Sequence, residues 1–317
     1  MSRIVIALGG NALQANPKDT TAKAQLITSR ETSETIVDLI EEGHEVIVAH
    51  GNGPQVGQIV ANYEAAASIN ENSPVMPFPE CGAMSQGYIG YHLQQSIRAV
   101  MRKRGINKEV ATVITQVIVD PNDPGFKNPT KPVGSFFTHE QAEKLTAEKG
   151  YTMKEDSNRG WRRVVASPLP IDIVEEPIIM TLVEAGHIVI TVGGGGIPVI
   201  DEGNGNLKGV PAVIDKDFAS CKIAELINAD LLVVLTAVEQ VAINFGKPNQ
   251  KNLSRMTVKE AKTYIEEGQF APGSMLPKIK AALIFVEAKE GRKAIITSLE
   301  KAKEAINEVA GTVICMN

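Results

Sequence analysis

The hydrophobic and polar positions of the chain repeat one local pattern, in which a helical stretch ends at a glycine and an apolar strand follows. The pattern occurs at residues 37–53, 178–196 and 285–298. Its glycines occupy the position of a left-handed helix cap, a conformation that glycine adopts without a steric penalty from a Cβ atom. We therefore expect helices to end at the glycines of this pattern, Gly43, Gly186 and Gly291.

The strands of this pattern are unbroken runs of β-branched and other apolar residues rather than alternating runs. The runs at residues 3–8, 110–119 and 230–236 belong to the same class. Unbroken apolar strands are typical of parallel sheets whose two faces are both covered. Their repeated alternation with helices predicts an α/β sandwich with helices on both faces of the sheet.

Three glycine loops follow predicted strands directly, at residues 9–11, 51–53 and 193–196. Because ligands of open α/β sheets bind at the carboxyl ends of the strands, we expect these loops to share one edge of the sheet. In HGNGPQVG (50–57), Pro54 suits the first turn of a helix, so the amides of Asn52 and Gly53 would point at an anion. The alternative is a tight strand-to-helix turn that binds nothing. The presence of three such loops favours the anion site.

Motifs and composition exclude several classes of protein. No G-x-x-x-x-G-K-[ST] motif occurs and the glycine spacing at 51–57 misses G-x-G-x-x-G, so neither a P-loop NTPase nor a standard dinucleotide-binding domain fits. A net charge of −5, no Lys/Arg run and 4% aromatic residues argue against a nucleic-acid partner. The sequence contains no run of 18 apolar residues, so we expect no membrane span. The first residues lack the features of a signal peptide.

The cysteines indicate a reducing compartment. The chain has three, Cys81, Cys221 and Cys315, which are far apart and form no C-x-x-C pair. Neither a zinc site nor a disulfide framework is therefore supported. We expect the protein to be cytoplasmic and to carry no protein-held metal.

Residues 120–170 differ in composition from the rest of the chain, because they are rich in Pro, Gly and Asn and carry the only tryptophan, Trp161. Long irregular stretches inside a compact domain are usually functional or disordered. We interpret this stretch as an inserted lobe that projects over the site as a lid. The alternative is a long surface loop without a role.

Four charged residues are candidates for phosphate chemistry. Lys216 and Asp217 are adjacent at a predicted helix start, where a lysine is unfavourable for the helix dipole, so its side chain could be directed at a phosphate. The alternative is a solvated charge pair in which Asp217 caps the helix. Lys278 lies in the first turns of another glycine-led helix, and Lys131 stands between two prolines that stiffen its backbone. Solvent-facing lysines are the alternative for both.

Nine short motifs follow one another along the chain: IALGGNAL (6–13), HGNGPQVG (50–57), CGAMSQGYIGY (81–91), NPTKPVG (128–134), RGWRRVVASP (159–168), GGGGIPV (193–199), AVIDKDFAS (212–220), INFGKP (243–248) and GSMLPK (273–278). Together they resemble the carbamate kinases, which belong to the amino acid kinase family. The resemblance runs from residue 4 to about residue 298. Each motif is weak by itself, but the ordered set is highly specific.

The resemblance implies an open, mainly parallel eight-stranded sheet between helices, with a small protruding lobe. It divides one continuous α/β sandwich into an acceptor-binding part, residues 1–212 with the lid at about 120–170, and a nucleotide-binding part, residues 213–317. It also implies a homodimer to which the helix at 82–100 contributes.

The resemblance assigns the site residues in three groups. Lys131, Lys216, Asp217 and Lys278 would be catalytic: Lys131 closes over the phosphates, Lys216 and Lys278 neutralise the transferred phosphoryl group, and Asp217 orients the lysines. Carbamate and the phosphate would bind at Gly9, Gly10, Asn11, Gly51, Asn52, Gly53, Gly194 and Gly195. The nucleotide would bind at Ala237, Val238, Asn244, Phe245, Pro248, Gly273 and Met275, with Mg²⁺ carried by ATP or ADP rather than by a dedicated protein site.

One position separates the chain from most amino acid kinases, which carry a lysine two residues before the first glycine of the opening loop. Here that position is Ala7, as in the carbamate kinases. The expected reaction is therefore reversible phosphoryl transfer between ATP and carbamate, in the direction of ATP synthesis during catabolism such as that of arginine. A kinase of another small acid or phosphonate is the alternative. A nucleotide-sensing regulator is a third, which the four retained charged residues disfavour.

Overall fold

The inner strands of the central sheet are buried along almost their whole length, as their unbroken apolar sequences predict, whereas the two edge strands are partly exposed. The computed structural model describes residues 1–16, 19–156 and 160–317. Its strands are β1 (Arg3–Leu8), β2 (Glu45–His50), β3 (Val110–Thr112), β4 (Gln116–Val119), β5 (Lys131–Phe137), β6 (Met153–Glu155), β7 (Trp161–Val165), β8 (Pro170–Ile173), β9 (Ile188–Thr191), β10 (Ile197–Gly203), β11 (Asn206–Gly209), β12 (Leu231–Thr236), β13 (Val241–Ile243), β14 (Lys251–Leu253), β15 (Arg255–Thr257), β16 (Lys293–Ser298) and β17 (Thr312–Cys315).

Most of the helices cover the two faces of that sheet. The helices are α1 (Ala22–Glu41), α2 (Gly53–Ile69), α3 (Phe78–Lys103), α4 (Pro124–Lys127), α5 (His139–Lys149), α6 (Glu176–Glu184), α7 (Lys216–Leu226), α8 (Val258–Glu266), α9 (Met275–Glu287) and α10 (Ala302–Ile306). Three short 3₁₀ turns lie at Gly10–Ala12, Gly193–Gly195 and Leu299–Lys301.

The central sheet has eight strands in the order β15-β17-β16-β12-β1-β2-β9-β3. Its neighbouring strands pair in parallel except β16 and β17, which are antiparallel. Successive residues of β1 point to opposite faces: Ile4 and Ile6 join the core under α1 and α3, whereas Val5 and Ala7 join the core under α7 and α9. The predicted open, mainly parallel sheet between two helix layers is confirmed.

The predicted helix ends are confirmed at Gly43 and Gly186, which directly follow the C-caps of α1 and α6 with φ angles of +89° and +82°. Gly291 also has a left-handed φ of +85°, but α9 ends at Glu287, four residues earlier, so the helix end predicted at Gly291 is wrong. A side chain would be strained in this left-handed conformation, which is why glycine marks these ends in the sequence.

The apolar run at 110–119 was predicted as one strand, and this prediction is wrong. The run divides into β3, at the edge of the central sheet, and β4, in a second sheet ordered β11-β10-β4-β8. The break is held by Gln86 of α3, whose amide accepts from the backbone N–H of Thr115 and donates to its carbonyl. Gln86 and Thr115 are 29 residues apart in the sequence, so the local apolar pattern cannot predict these bonds.

The predicted lobe is present, but its own sheet uses only part of the 120–170 stretch. The sheet is ordered β5-β7-β6 and is accompanied by α5, whereas β8 and β4 belong to the second sheet. The motif at 159–168 enters β7, and its first residue, at position 159, lies outside the described residues.

Candidate functional site

Four neighbouring parallel strands, β12, β1, β2 and β9, end at the same edge of the central sheet. The glycine loops follow three of these ends, as the sequence predicts. A cavity of about 280 Å³ opens beside them and is lined by Gly9, Gly10, Asn11, Ala12, Lys216, Leu235, Thr236, Ala237, Lys278, Leu299 and Glu300. Two predicted catalytic lysines and the whole of the first glycine loop therefore meet in one cleft.

Asp217 lies at the centre of the charged cluster. Its Oδ1 is 2.5 Å from Nζ of Lys216, and its Oδ2 is 3.0 Å from Nζ of Lys278. Asp217 is only 2% exposed, so both of its oxygens need these partners. The expected grouping of Asp217 with two lysines is thus present in the geometry.

Burial and charge act against each other on these groups. Burial by itself raises the pKa of Asp217, but the charges of Lys216 and Lys278 outweigh it and hold the pKa below its usual range. Burial lowers the pKa of Lys216, and the charge of Asp217 opposes that shift. The carboxylate is therefore ionised at neutral pH and keeps the two ammonium groups at the cleft.

The third lysine reaches the cluster from the lobe. Nζ of Lys131, the first residue of β5, is 2.6 Å from Oδ2 of Asp215. The other oxygen of Asp215 accepts from the backbone N–H of Asp217 at 2.9 Å, so Asp215 is the N-cap of α7. The alternative in which Asp217 caps the helix is wrong. Asp215 was missed in the sequence, although an aspartate directly before a helix is a strong capping signal.

The glycines of two loops make room for their neighbours. A Cβ atom on Gly51 would lie 3.3 Å from Cδ of Lys216, so the lysine stem passes directly over this loop. A Cβ atom on Gly9 would lie 2.8 Å from the carbonyl oxygen of Leu235. Ala7 is fully buried and belongs to the core under α7 and α9.

Gly194 and Gly195 are buried behind the second loop rather than among the cavity-lining residues. A Cβ atom on Gly194 would lie 2.1 Å from Nδ2 of Asn52, and one on Gly195 would lie 2.2 Å from the carbonyl oxygen of Ile214. Asn52 itself is buried and donates from Nδ2 to Oγ of Ser85 at 2.8 Å. Close packing thus accounts for these glycines, and a binding role for them stays a prediction.

His50, the last residue of β2, contacts the second glycine loop. Its Nδ1 lies 2.8 Å from the carbonyl oxygen of Gly51, and burial lowers the pKa of His50 to about 4. The ring is therefore neutral at physiological pH and donates from Nδ1 to that carbonyl. A Cβ atom on Gly193 would lie 2.5 Å from its Nε2, so the ring also packs against the third loop.

The predicted nucleotide residues are spread over three segments, and of them only Ala237 is among the residues that line the cavity. Val238 follows Ala237 directly. Asn244, Phe245 and Pro248 lie on the loop between β13 and β14, and Gly273 and Met275 lie at the start of α9. The loop between β13 and β14 is linked to the connection between α8 and α9 by a 2.9 Å hydrogen bond from the backbone N–H of Asn244 to Oε1 of Gln269. Phe245 is 70% exposed, a large aromatic surface without cover.

Sequence reasoning missed the far wall of the cavity, formed by Leu299 and Glu300. They follow β16, which pairs in parallel with β12 from Leu231↔Lys293 onward. The apolar run that forms β16 could have predicted this wall, because neighbouring parallel strands bring their carboxyl ends to the same edge of the sheet.

Other features of the described residues bear on the remaining expectations. Ranges 1–16, 19–156 and 160–317 contain no group of three His, Cys, Asp or Glu side chains that could hold a metal ion. Among the same residues, no helix has the length and apolar character needed to cross a bilayer. Cys81, Cys221 and Cys315 are buried free thiols.

Comparison with known proteins gives one consistent result. Residues 2–298 match the amino acid kinase family. Carbamate kinase of Clostridium perfringens is 59% identical over 312 residues, which cover 98% of this chain and 99% of that protein. The carbamate kinase-like protein YqeA of Escherichia coli is 59% identical over 313 residues, 99% of both chains.

Solved structures agree with the sequence relatives. Carbamate kinase from Giardia lamblia bound to AMP-PNP is 41% identical, with a TM-score of 0.90 and 99% and 98% of the two chains covered. Because both the motifs and the fold match along the whole length, the chain belongs to the amino acid kinase family, in the group of the carbamate kinases.

Proposed function

We infer that this protein is a carbamate kinase, an enzyme that transfers a phosphoryl group reversibly between ATP and carbamate. The observation that carries this inference is the charged cluster at the glycine-loop edge, where the buried Asp217 and the half-buried Asp215 hold three lysines. Such a cluster suits a reaction whose main requirement is charge neutralisation. Full-length identity of 59% to the C. perfringens enzyme supports the choice of acceptor.

The chemistry needs positioning rather than a general base. Carbamate is an anion at neutral pH, so one of its oxygens can form a bond to the γ-phosphorus while the bond to the ADP oxygen breaks and ADP leaves with the electron pair. Catalysis then consists of alignment and of neutralising charge on the phosphoryl oxygens. We assign that neutralisation to Lys216 and Lys278, their orientation to Asp217, and closure over the phosphates to Lys131.

The acceptor would bind at the first two glycine loops. Backbone amides of Gly10, Asn11 and Gly53 suit a carboxylate of four heavy atoms, for which few side chains can be in reach. Gly9, Gly51, Asn52, Gly194 and Gly195 complete the proposed substrate site by allowing these loops to pack closely.

The nucleotide would occupy the side of the cleft formed by residues 213–317, while residues 1–212 bind the acceptor. The adenine and ribose would lie near Phe245 and Met275. Mg²⁺, bound to the nucleotide phosphates, would offset part of their charge. Both oxygens of Asp217 are engaged by lysines, which supports a metal that arrives with the nucleotide rather than one held by this carboxylate.

We propose that the enzyme works in the cytoplasm, makes ATP from carbamoyl phosphate in catabolism such as that of arginine, and is a homodimer formed partly by α3. Three free thiols support a reducing compartment. Exposed Met84 and Tyr91 on α3 support the choice of interface.

The deciding experiment is ATP formation from ADP and carbamoyl phosphate with Mg²⁺, followed by a coupled assay. We expect rapid turnover that stops when a chelator removes Mg²⁺. Absence of ATP formation with Mg²⁺ present would refute the proposed reaction.

A kinase of another small acid or phosphonate is the second candidate. It is favoured by one observation: the E. coli relative with the same identity of 59% is described only as carbamate kinase-like. Testing small carboxylates and phosphonates as acceptors with ATP separates the two candidates, because a preference for another acid over carbamate would select the second.

A further inference from the structure

We propose that Asp215 is a positioning residue of the phosphoryl-transfer reaction, which holds Lys131 of the lobe at the start of α7, directly beside Lys216. The inference rests on the proposed function and concerns a residue to which the family resemblance assigned no role. It is carried by one carboxylate whose two oxygens bind two different parts of the site.

The first oxygen of Asp215 holds the start of α7. Its Oδ1 accepts from the backbone N–H of Asp217 at 2.9 Å, which makes Asp215 the N-cap of this helix. Lys216 and Asp217 are the first two residues of α7, and Lys216 lines the cavity. The cap therefore holds the backbone from which both side chains reach the charged cluster.

The second oxygen of Asp215 holds the lysine of the lobe. Its Oδ2 is 2.6 Å from Nζ of Lys131, and it is the only hydrogen-bond partner of that ammonium group among the described residues. An ammonium group has three N–H donors, so two of them remain for phosphate oxygens. The Lys131 side chain is 28% exposed, so this pair lies at an accessible surface and not in the core.

Backbone pairing brings the two side chains together at the base of the lobe. Lys131 pairs with the last residue of β7, and the next residue, Ala166, forms a bridge to Ala212. The backbone N–H of Val213 donates to the carbonyl of Ala166 at 2.9 Å. Asp215 follows two residues later. The contact therefore lies where backbone hydrogen bonds join the lobe to the segment before α7.

Charge and side-chain length explain why such an anchor is needed. A lysine has a long flexible stem, and holding its ammonium group in one place costs rotamer entropy. Without a phosphate, the charges of Lys131 and Lys216 also repel each other. The carboxylate of Asp215 offsets that repulsion and places the ammonium group before the substrate arrives. In catalysis, a misplacement of about 1 Å can cost about 10²-fold in rate.

The test uses Asp215→Asn, because asparagine caps a helix about as well as aspartate does. When the side-chain oxygen of asparagine caps α7, its other terminal group is –NH₂, a donor that cannot accept from Lys131. The variant therefore keeps the cap and removes only the hold on the lysine. Asp215→Ser, which also caps but is shorter, is the second variant. The measured quantities are kcat and KM for ATP formation from ADP and carbamoyl phosphate with Mg²⁺, and the thermal midpoint.

We expect kcat/KM to fall about 10- to 100-fold in Asp215→Asn and in Asp215→Ser, with thermal midpoints close to that of wild type. Lys131→Ala should lower kcat/KM at least as much. Adding Asp215→Asn to Lys131→Ala should change kcat/KM by less than about 2-fold, because no lysine is left to position.

Asp201→Asn is the matched control. Asp201 also accepts from the backbone N–H two residues later, that of Gly203 at 2.7 Å, but it is exposed and lies on β10. Its kcat/KM should equal that of the wild type.

Three results would overturn the inference while the proposed function stands. One is wild-type kcat/KM in both Asp215 variants. Another is an equal loss on adding Asp215→Asn to wild type and to Lys131→Ala, which would show that Asp215 acts independently of Lys131. The third is failure of both Asp215 variants to fold, which would assign Asp215 to the helix cap alone. A wild type that forms no ATP would instead overturn the proposed function itself.

Discussion

Single residues of the cleft depend on a shared carboxylate. Asp217 is almost fully buried, and each of its oxygens binds one lysine, so no member of the trio is independent of the others. Removing one partner of a buried ion pair normally leaves an uncompensated charge. Asp217 has two lysine partners, so loss of one lysine leaves its charge paired with the other. Replacement of one lysine should therefore affect catalysis much more than folding.

Replacing Lys216 by alanine should lower kcat for ATP formation by about 10²- to 10³-fold, because a charge that stabilises the transferring phosphoryl group is lost. The thermal midpoint should stay near that of wild type, since Lys278 still pairs with Asp217. Lys222→Ala on the same helix is the control, because Lys222 pairs with Glu225 away from the cluster. Near-normal turnover of Lys216→Ala would remove Lys216 from the mechanism.

Replacing Asp217 by asparagine should move the alkaline limb of the pH profile to lower pH. Burial lowers the pKa of Lys216, and the Asp217 charge raises it, so loss of that charge lowers the pKa further. The lysine acts as a cation, and activity is lost as pH rises through its pKa. The measurement is kcat/KM from about pH 7 to 10. An unchanged limb would show that Lys216 is not the titrating group.

Among the elements, α2 and β5 link the acceptor loop to the lobe. A Cβ atom on Gly57 would lie 2.3 Å from Cα of Gly134, so the two backbones are in direct contact. Farther along α2, Glu64 binds Arg163 of the lobe at 3.2 Å. Helix α2, which begins at the second glycine loop, is therefore in direct contact with β5, which begins at Lys131.

Replacing Gly57 by alanine should push β5 away from α2 and displace Lys131. Because the atoms in the way are backbone, we expect a loss of about 1–3 kcal/mol in the free energy of unfolding and a fall in kcat/KM of at least about 10-fold. Denaturant unfolding and the ATP assay measure the two effects.

Gly82→Ala in α3 is the matched control for that variant. No atom outside its own helix lies within 4 Å of a Cβ placed there, so it should gain up to about 1 kcal/mol from helix propensity. Wild-type activity and stability in Gly57→Ala would contradict the proposed link between helix and lobe.

At the scale of the whole molecule, one exposed face of α3 bears on assembly. On α3, Met84 is 38% exposed and Tyr91 is 58% exposed, and the exposed Gly87 lies between them at helical spacing. The family resemblance implies a homodimer through this helix.

Tyr91→Arg should convert the dimer to a monomer, because a charge would enter the proposed interface. Sedimentation should give twice the chain mass for wild type and the chain mass for the variant. Ile69→Arg is the control, since Ile69 is 88% exposed at the end of another helix. A monomeric wild type, or a dimeric Tyr91→Arg, would refute the interface.

The sequence by itself determined the layers, two of the three predicted helix ends and the edge at which the glycine loops meet. These features arise from local causes: unbroken apolar runs need cover on both faces, and left-handed caps need glycine. The ordered motifs also predicted a shared site for Lys131, Lys216, Asp217 and Lys278, and the fold joins Lys216 and Lys278 to Asp217 and Lys131 to the neighbouring Asp215.

Only the tertiary structure decided how these residues are partnered. Lys131 meets Asp215 across 84 positions, and Lys278 meets Asp217 across 61. Gln86 breaks the predicted strand at Thr115 from another helix. Such pairings depend on how the elements pack and not on the residues beside them, so no local pattern encodes them.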